Sequence, residues 1–217
     1  MQLERLNLRE QARRVLRASI ITGELMPGQL YTVGAFASKL GVSATPVREA
    51  LGDLASFGLV EVVRNRGFVV APVTEEDLDE IVELRLLLEP PALERVAGRL
   101  SRDEISRCRK YVEQGIATAR SGDLAGFLEA DREFHLTVVS ALRNRRLVAF
   151  LSQLRDQTRL YGLRALADQG LLLASAREHE ELLHAVEEGD AAGAREAMVR
   201  HLMHTRGAWA GRSESDE

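Results

Sequence analysis

The stretch that decides the fold of this chain reads LGVSATPVREAL and covers residues 40–51. Leu40 ends a short segment with helical apolar spacing, and Gly41 supplies a turn. After this turn, either Ser43 or Thr45 can cap a second helix. The apolar face of the second helix comprises Val47, Ala50, Leu51 and Leu54. Two short helices joined by a glycine turn predict a helix-turn-helix.

The amino-terminal tip of the second helix is the part of a helix-turn-helix that meets base edges and phosphates. Pro46 fits the first turn of this helix, because a residue there has no helical N–H partner to lose. The helix start is therefore well defined, and it carries polar and basic side chains. The predicted DNA contacts on this helix are Ser43, Thr45 and Arg48.

Two short segments after the helix pair alternate like strands, at residues 59–63 and 67–71. The sequence RNRG at residues 64–67 lies between them and predicts a tight, basic hairpin turn. A basic hairpin after a helix-turn-helix is typical of a wing. The predicted DNA contacts on this wing are Arg64, Arg66 and Gly67.

The composition is that of an ordinary globular protein of 217 residues, 45% hydrophobic and 29% charged. Aromatic residues make up only 5%, which favours helices that pack through aliphatic side chains. No apolar run approaches the roughly 18–20 residues that cross a bilayer, and the amino terminus lacks a signal-peptide core. We therefore expect a cytoplasmic protein without a membrane segment.

Cys108 is the only cysteine, which excludes an internal disulfide and suits a reducing compartment. The neighbouring Arg107 and Arg109 could lower the pKa of the thiol and support a redox role. The alternative is that Cys108 fills a small apolar space on a helix.

The two ends of the chain differ in charge. Residues 1–73 carry nine basic and six acidic residues, a net charge of +3. The remaining 20 basic and 27 acidic residues give a net charge of −7. A basic amino-terminal part on an acidic body is what a phosphate-binding module joined to a second domain would show.

The boundary between two domains is predicted after residue 73, where Thr74 precedes three acidic residues in the manner of a helix cap. The first domain also contains a helix at 5–22. The second domain, residues 74–212, begins with a helix at 75–98 that Pro90 and Pro91 should kink or split. Further amphipathic segments cover 102–120, 123–141, 145–167, 171–188 and 190–209. Six helices without a strand pattern predict an all-α antiparallel bundle, followed by a disordered acidic tail at 213–217.

All five histidines of the chain lie after residue 134. Asp131 and His135 are four residues apart on one predicted helix, so both side chains project from the same face. His179 and His201 lie on the next two candidate helices, which a short turn should make antiparallel neighbours. Three imidazoles and one carboxylate would suit Zn²⁺, or Ni²⁺ or Mn²⁺ with waters. His204 is the alternative to His201, whereas His184 should point to solvent.

Several motifs of the first domain together resemble the winged helix-turn-helix of the GntR family of bacterial transcription regulators. They are ITGELMPGQL (21–30), LGVSATPVREAL (40–51), GLV (58–60) and RGFVV (66–70), and the resemblance covers residues 5–72. It implies DNA contacts at Thr45, Arg48 and Gly67. Ala44 stands where most members of the family have an arginine that helps to read the operator.

The second domain resembles the metal-binding ligand domain of the FadR-type (FCD) branch of this family. The motifs are DREFH (131–135), EHEELLHA (178–185) and His201, and the resemblance covers residues 74–210. It implies that Asp131, His135, His179 and His201 are the metal ligands. Six helices rather than seven are typical of the shorter, vanillate-regulator-like subgroup.

The same resemblance implies that the metal holds a small carboxylate effector through its open positions, with a nearby arginine matching the charge. Arg85 stands where relatives have an arginine facing that cavity. Its alternative role is an ion pair with Glu89, four residues later on the same helix. Arg155 and Arg159 could also line the pocket.

We therefore predict a homodimeric transcription regulator, a repressor rather than an enzyme, that binds a near-palindromic DNA operator under control of a small carboxylate. A metal-dependent hydrolase that uses the three histidines and Asp131 is the alternative from another class. A DNA-binding scaffold without metal or effector is the third possibility.

Overall fold

The computed structural model describes the backbone of residues 2–56, 58–72 and 74–209. Within these ranges it describes the side chains except those of residues 2–7, 21, 158–165, 208 and 209. The side chain of Arg159 and the predicted tail at 213–217 lie outside the described residues. Backbone contacts divide the chain into two compact units, Met1–Val73 and Thr74–Glu217.

The first unit is a winged helix-turn-helix, as predicted. Its helices are α1 (Gln2–Ile21), α2 (Val33–Leu40) and α3 (Ala44–Ser56), and its strands are β1 (Leu30–Tyr31), β2 (Val60–Val63) and β3 (Gly67–Val70). The strands form an antiparallel sheet in the order β1-β3-β2. β1 was not predicted, because two residues are too few to show an alternating pattern.

The turn between α2 and α3 follows from two local signals. Thr32 caps α2 by accepting a hydrogen bond from the Ala35 amide, and Gly41 ends α2 in a left-handed conformation with φ 66°. α3 begins at Ala44, so Thr45 lies within the helix and the suggestion that Thr45 caps it is wrong. Ser43 is the residue before the helix. The predicted apolar face of α3 is buried: Val47, Ala50, Leu51 and Leu54.

Gly67 opens β3 and is buried, with φ 146°. A Cβ atom added there would lie 1.9 Å from the Tyr31 carbonyl oxygen of β1. The residue is therefore glycine because the β1 backbone passes too close for any side chain. Its predicted DNA contact could come only from its backbone, and that contact stays a prediction.

Replacing Gly67 with alanine is expected to destabilise the sheet by more than about 1 kcal/mol, since the new methyl group clashes with backbone and the φ angle is strained. Gly52→Ala is the matched control. Gly52 lies in α3 with nothing within 4 Å of an added Cβ atom, so alanine should stabilise the unit by about 0.5–1 kcal/mol. Hydrogen exchange of the β3 amides measures both effects. Equal protection in Gly67→Ala and the unmodified protein would contradict the prediction.

The second unit is an all-α bundle of six helices, and residues 74–209, where described, contain no strand. The helices are α4 (Glu75–Val96), α5 (Arg102–Ser121), α6 (Leu124–Ser140), α7 (Arg145–Asp168), α8 (Leu172–Glu187) and α9 (Ala191–Trp209). Thr74 starts α4 with a capping box that it forms with Asp77, and Ser101 starts α5 in the same way with Glu104. The predicted helical class and element count are confirmed.

α4 continues through Pro90 and Pro91 as one helix, so of the two predicted effects, a kink or a split, the split is wrong. Each proline lacks an N–H, and two helical hydrogen bonds are therefore missing. Glu89, Pro90, Ala92 and Leu93 are all buried in the bundle. Tertiary packing on both sides of the prolines holds the segment helical.

Cys108 is fully buried in the core of the bundle. Burial raises the pKa of its thiol to about 12, which keeps it protonated and unreactive. These observations favour the interpretation of Cys108 as a small apolar filler. Among the described helices of the chain, none is long and apolar enough to cross a membrane.

Candidate metal centre and nucleic-acid interface

Asp131, His135, His179 and His201 come together in the bundle, as the sequence predicted. Each offers one ligand atom, and these four atoms all lie within 4.8 Å of one another. α6 supplies Asp131 and His135 one turn apart, α8 supplies His179, and α9 supplies His201. The three histidines are at most 2% exposed, and the Asp131 side chain is 12% exposed. Three helices thus build one compact group of donors.

Two of the three distances among Asp131, His135 and His179 fit a shared ion, and the third is a few tenths of an ångström longer. His135 Nε2 lies 3.0 Å from His179 Nε2, and Asp131 Oδ1 lies 3.4 Å from His179 Nε2 and 3.8 Å from His135 Nε2. Donors that are both about 2.1 Å from one ion lie roughly 3.0–3.4 Å apart at right-angle to tetrahedral geometry. The donor set of three imidazoles and one carboxylate therefore could hold a divalent metal.

Burial keeps two of the imidazoles neutral, the form that binds a metal. Burial lowers the pKa of His135 well below its usual value, and the charge of Arg155 lowers it further, although Glu89 and Asp131 oppose the change. Burial also lowers the pKa of His179, although a hydrogen bond that the ring donates to the Asp131 carboxylate opposes the change. The lone pairs of both rings are therefore available at neutral pH.

A buried network of ion pairs adjoins the donor group and includes one of the donors, Asp131. Arg155 of α7 donates to Glu89 Oε2 at 2.7 Å and to Asp131 Oδ2 at 2.9 Å, while Arg85 donates from Nε to Glu89 Oε1 at 2.7 Å. Burial would raise the pKa of Glu89, but Arg155 and Arg85 outweigh it and hold that pKa well below its usual value. The ion pair of Arg85 with Glu89 that the sequence offered as an alternative is therefore present.

A carboxylate also orients one of the imidazoles. His135 Nδ1 lies 3.4 Å from Glu89 Oε2 and forms no hydrogen bond with it. His201 Nδ1 lies 2.6 Å from Glu178 Oε2. Such outer carboxylates hold metal-binding histidines in one tautomer and orientation.

The remaining histidines lie outside the donor group. His184 is exposed on α8, as predicted. His204 is 46% exposed, and its Nδ1 lies 2.7 Å from Glu178 Oε1. In the described part of the chain, the geometry therefore groups His201, and not its rival His204, with the other three donors.

Sequence reasoning did not single out Arg155 and missed Glu178. Arg155 is one of several arginines in the bundle, and no local pattern shows that it meets Glu89 and Asp131, which lie 66 and 24 residues away. Glu178 directly precedes a predicted ligand, but its partners lie on the next helix. Only the packing of α7 and α8 against their neighbours reveals these contacts.

Three of the six predicted DNA-contacting residues, Arg48, Arg66 and Gly67, line a groove in the first unit. Ser43, Thr45 and Arg48 are exposed at the start of α3, and Arg64 and Arg66 are exposed at the turn between β2 and β3. A groove of about 530 Å³ separates α3 from this turn, and its lining includes Arg48, Asn65 and Arg66. Recognition-helix and wing arginines therefore share one surface, which suits a nucleic-acid backbone.

The winged helix-turn-helix and the helical bundle define a class, that of DNA-binding transcription regulators. Residues 8–70 match the model of the gntR family of bacterial regulatory proteins, and residues 80–204 match the FCD domain. The chain belongs to the GntR family and carries the FCD domain of its FadR-type branch.

Individual relatives agree with this assignment. A protein of Paenarthrobacter nicotinovorans named as a probable D-xylose utilization operon transcriptional repressor is 32% identical over 205 residues, which are 92% of this chain and 88% of that protein. LutR, a transcriptional regulator of Bacillus subtilis, is 27% identical over 220 residues, or 91% and 99% of the two chains. The structure of Escherichia coli McbR/YncC superposes with a TM-score of 0.82 at 25% identity and covers 94% of this chain and 97% of that one.

These comparisons confirm the prediction that the chain is a transcription regulator and not an enzyme. The matched families and named relatives are regulators, so nothing supports the hydrolase alternative. Membership of the vanillate-regulator-like subgroup stays a prediction.

Proposed function

We propose that this chain is a repressor whose operator binding is controlled by a small carboxylate held by a divalent ion in the FCD domain. The observation that carries the proposal is the convergence of Asp131, His135, His179 and His201 from three helices into one buried donor group. Burying three imidazoles costs free energy, because their nitrogens lose hydrogen bonds to water. Coordination of a metal ion would compensate this cost.

The donor set favours Zn²⁺, with Ni²⁺ or Mn²⁺ as alternatives that would add more water ligands. With these four protein donors, a bound ion would need a five- or six-coordinate shell to offer open positions to an anion. The protein side chains fix the donors, because Arg155 occupies Asp131 Oδ2 and leaves Oδ1 facing His135 and His179.

Charge balance supports a carboxylate effector. Arg85 and Arg155 carry two positive charges, whereas Glu89, Asp131 and the adjoining Glu178 carry three negative ones. A divalent cation would leave one positive charge in a buried site, and an organic monoanion would compensate it. Arg85 remains the proposed effector contact. Its Nε donates to Glu89, and its two terminal guanidinium nitrogens would bind the effector.

The DNA half of the proposal is a homodimer on a near-palindromic operator. One recognition helix reads few bases, so two half-sites about one DNA turn apart are needed for affinity and specificity. The effector can change operator binding only if it binds the two conformational states with different affinity. The repressor named among the relatives supports repression over activation.

The test compares two histidines of α8 in the full-length protein. His179→Ala should abolish stoichiometric Zn²⁺ binding and the thermal shift that a panel of small carboxylates produces. His184→Ala, an exposed histidine on the same helix, should change neither. Metal analysis and a thermal-shift screen measure both. The absence of metal binding in the unmodified protein, or its retention in His179→Ala, would exclude the sensor role and leave DNA binding untouched.

A further inference from the structure

Glu178 lies directly before the donor His179 on α8, but its side chain contacts two histidines of α9. Its Oε2 lies 2.6 Å from His201 Nδ1, and its Oε1 lies 2.7 Å from His204 Nδ1. The two oxygens of one carboxylate therefore hold two imidazoles that stand three residues apart on the neighbouring helix.

The contact with His201 decides which ring nitrogen is free. A carboxylate only accepts hydrogen bonds, so His201 Nδ1 must donate, and in the neutral ring Nε2 is then the atom with the lone pair. The His201 ring centroid lies 5.2 Å from that of His135 and 4.8 Å from that of His179. Because the Nδ1 edge of the ring faces Glu178, Nε2 is the atom that His201 can offer to the donor group.

We propose that Glu178 is a positioning residue that holds His201 in the tautomer and orientation of the fourth metal ligand. The inference rests on the proposed metal binding at the same site. Both histidines bind Glu178 through Nδ1, but His201 is 2% exposed beside the other donors, whereas His204 is 46% exposed. Outer partners of ligating histidines commonly set metal affinity in this way.

The experiment measures Zn²⁺ affinity of the full-length protein in competition with a chromogenic chelator. Glu178→Ala should weaken binding by about 10–100-fold, because His201 loses its fixed tautomer and orientation. Glu178→Gln should lose less Zn²⁺ affinity than Glu178→Ala, because the amide oxygen still accepts a hydrogen bond from His201 Nδ1. His204→Ala should stay within about twofold of the unmodified protein, since it leaves the contact with His201 intact. Glu181→Ala, an exposed glutamate on the same helix, is the matched control.

The tautomer of His201 in the metal-free protein gives a second measurement. It would not change if Glu178 only stabilised the fold. Two-bond ¹⁵N–¹H correlation spectra should show the Nδ1–H form in the unmodified protein and in His204→Ala. Glu178→Ala should show a mixture of both tautomers. Should Glu178→Ala fail to fold, Glu178→Met keeps the length of the side chain and takes its place with the same expectations.

The outcomes separate the two proposals. An unmodified protein that binds no Zn²⁺ overturns both the metal site and the role of Glu178. If the unmodified protein binds Zn²⁺ and Glu178→Ala binds it equally well with an unchanged His201 tautomer, only the role of Glu178 is overturned. If His204→Ala loses as much Zn²⁺ affinity as Glu178→Ala, the role of Glu178 is likewise overturned.

Discussion

Replacing Glu89 with alanine is expected to lower the free energy of unfolding of the second unit by about 3–5 kcal/mol. Glu89 is completely buried and accepts hydrogen bonds from Arg85 and Arg155, which are themselves 3% and 2% exposed. Alanine would leave both guanidinium groups in the core without this anion, although Asp131 would still pair with Arg155. Urea unfolding followed by circular dichroism measures the loss, because the helical second unit dominates that signal.

Glu94→Ala is the control for this change. Glu94 lies on the same helix and pairs with Arg195, but both side chains are nearly half exposed. Water screens such a pair, so its loss should lower the free energy of unfolding by less than about 1 kcal/mol. Both variants are compared without added metal, so that ligand binding does not contribute. A change below about 1 kcal/mol in Glu89→Ala would show that the buried network is not needed for stability.

Replacing Arg48 with alanine is expected to weaken operator binding on the order of 30-fold or more. Arg48 is exposed near the start of α3 and lines the groove between α3 and the wing. A single arginine contact to base or phosphate contributes about 1–3 kcal/mol, and a dimer that reads two half-sites loses two such contacts. Fluorescence anisotropy with DNA fragments that the unmodified protein selects in vitro measures the affinity.

Arg109→Ala removes the same charge from the second unit, where Arg109 pairs with Glu187 on the surface of the bundle. It should leave the affinity within about twofold, because it removes no DNA contact. The dependence on salt adds a second test, since the loss of phosphate contacts makes binding less sensitive to salt. Equal affinities of Arg48→Ala and Arg109→Ala would refute the proposed DNA-binding surface.

Sequence patterns predicted the parts of this protein that depend on near neighbours in the chain. Helical apolar spacing and Gly41 predicted α2, α3 and the turn between them, and Thr74 predicted where α4 begins. Asp131 and His135 were also predicted as a pair, because they share a helix face, whereas the full set of four donors came from the resemblance to the FCD branch. These signals are local, since capping and periodicity involve residues only a few positions apart.

Only the tertiary structure decided the contacts between distant residues. It showed that α4 stays whole through Pro90 and Pro91, and that Gly67 faces the backbone of β1. It also grouped His201 with the other donors instead of His204, and it revealed Arg155 and Glu178 as their supports. These features depend on how far one helix or strand is shifted along its neighbour, and that shift follows from the packing of whole elements, which no local pattern records.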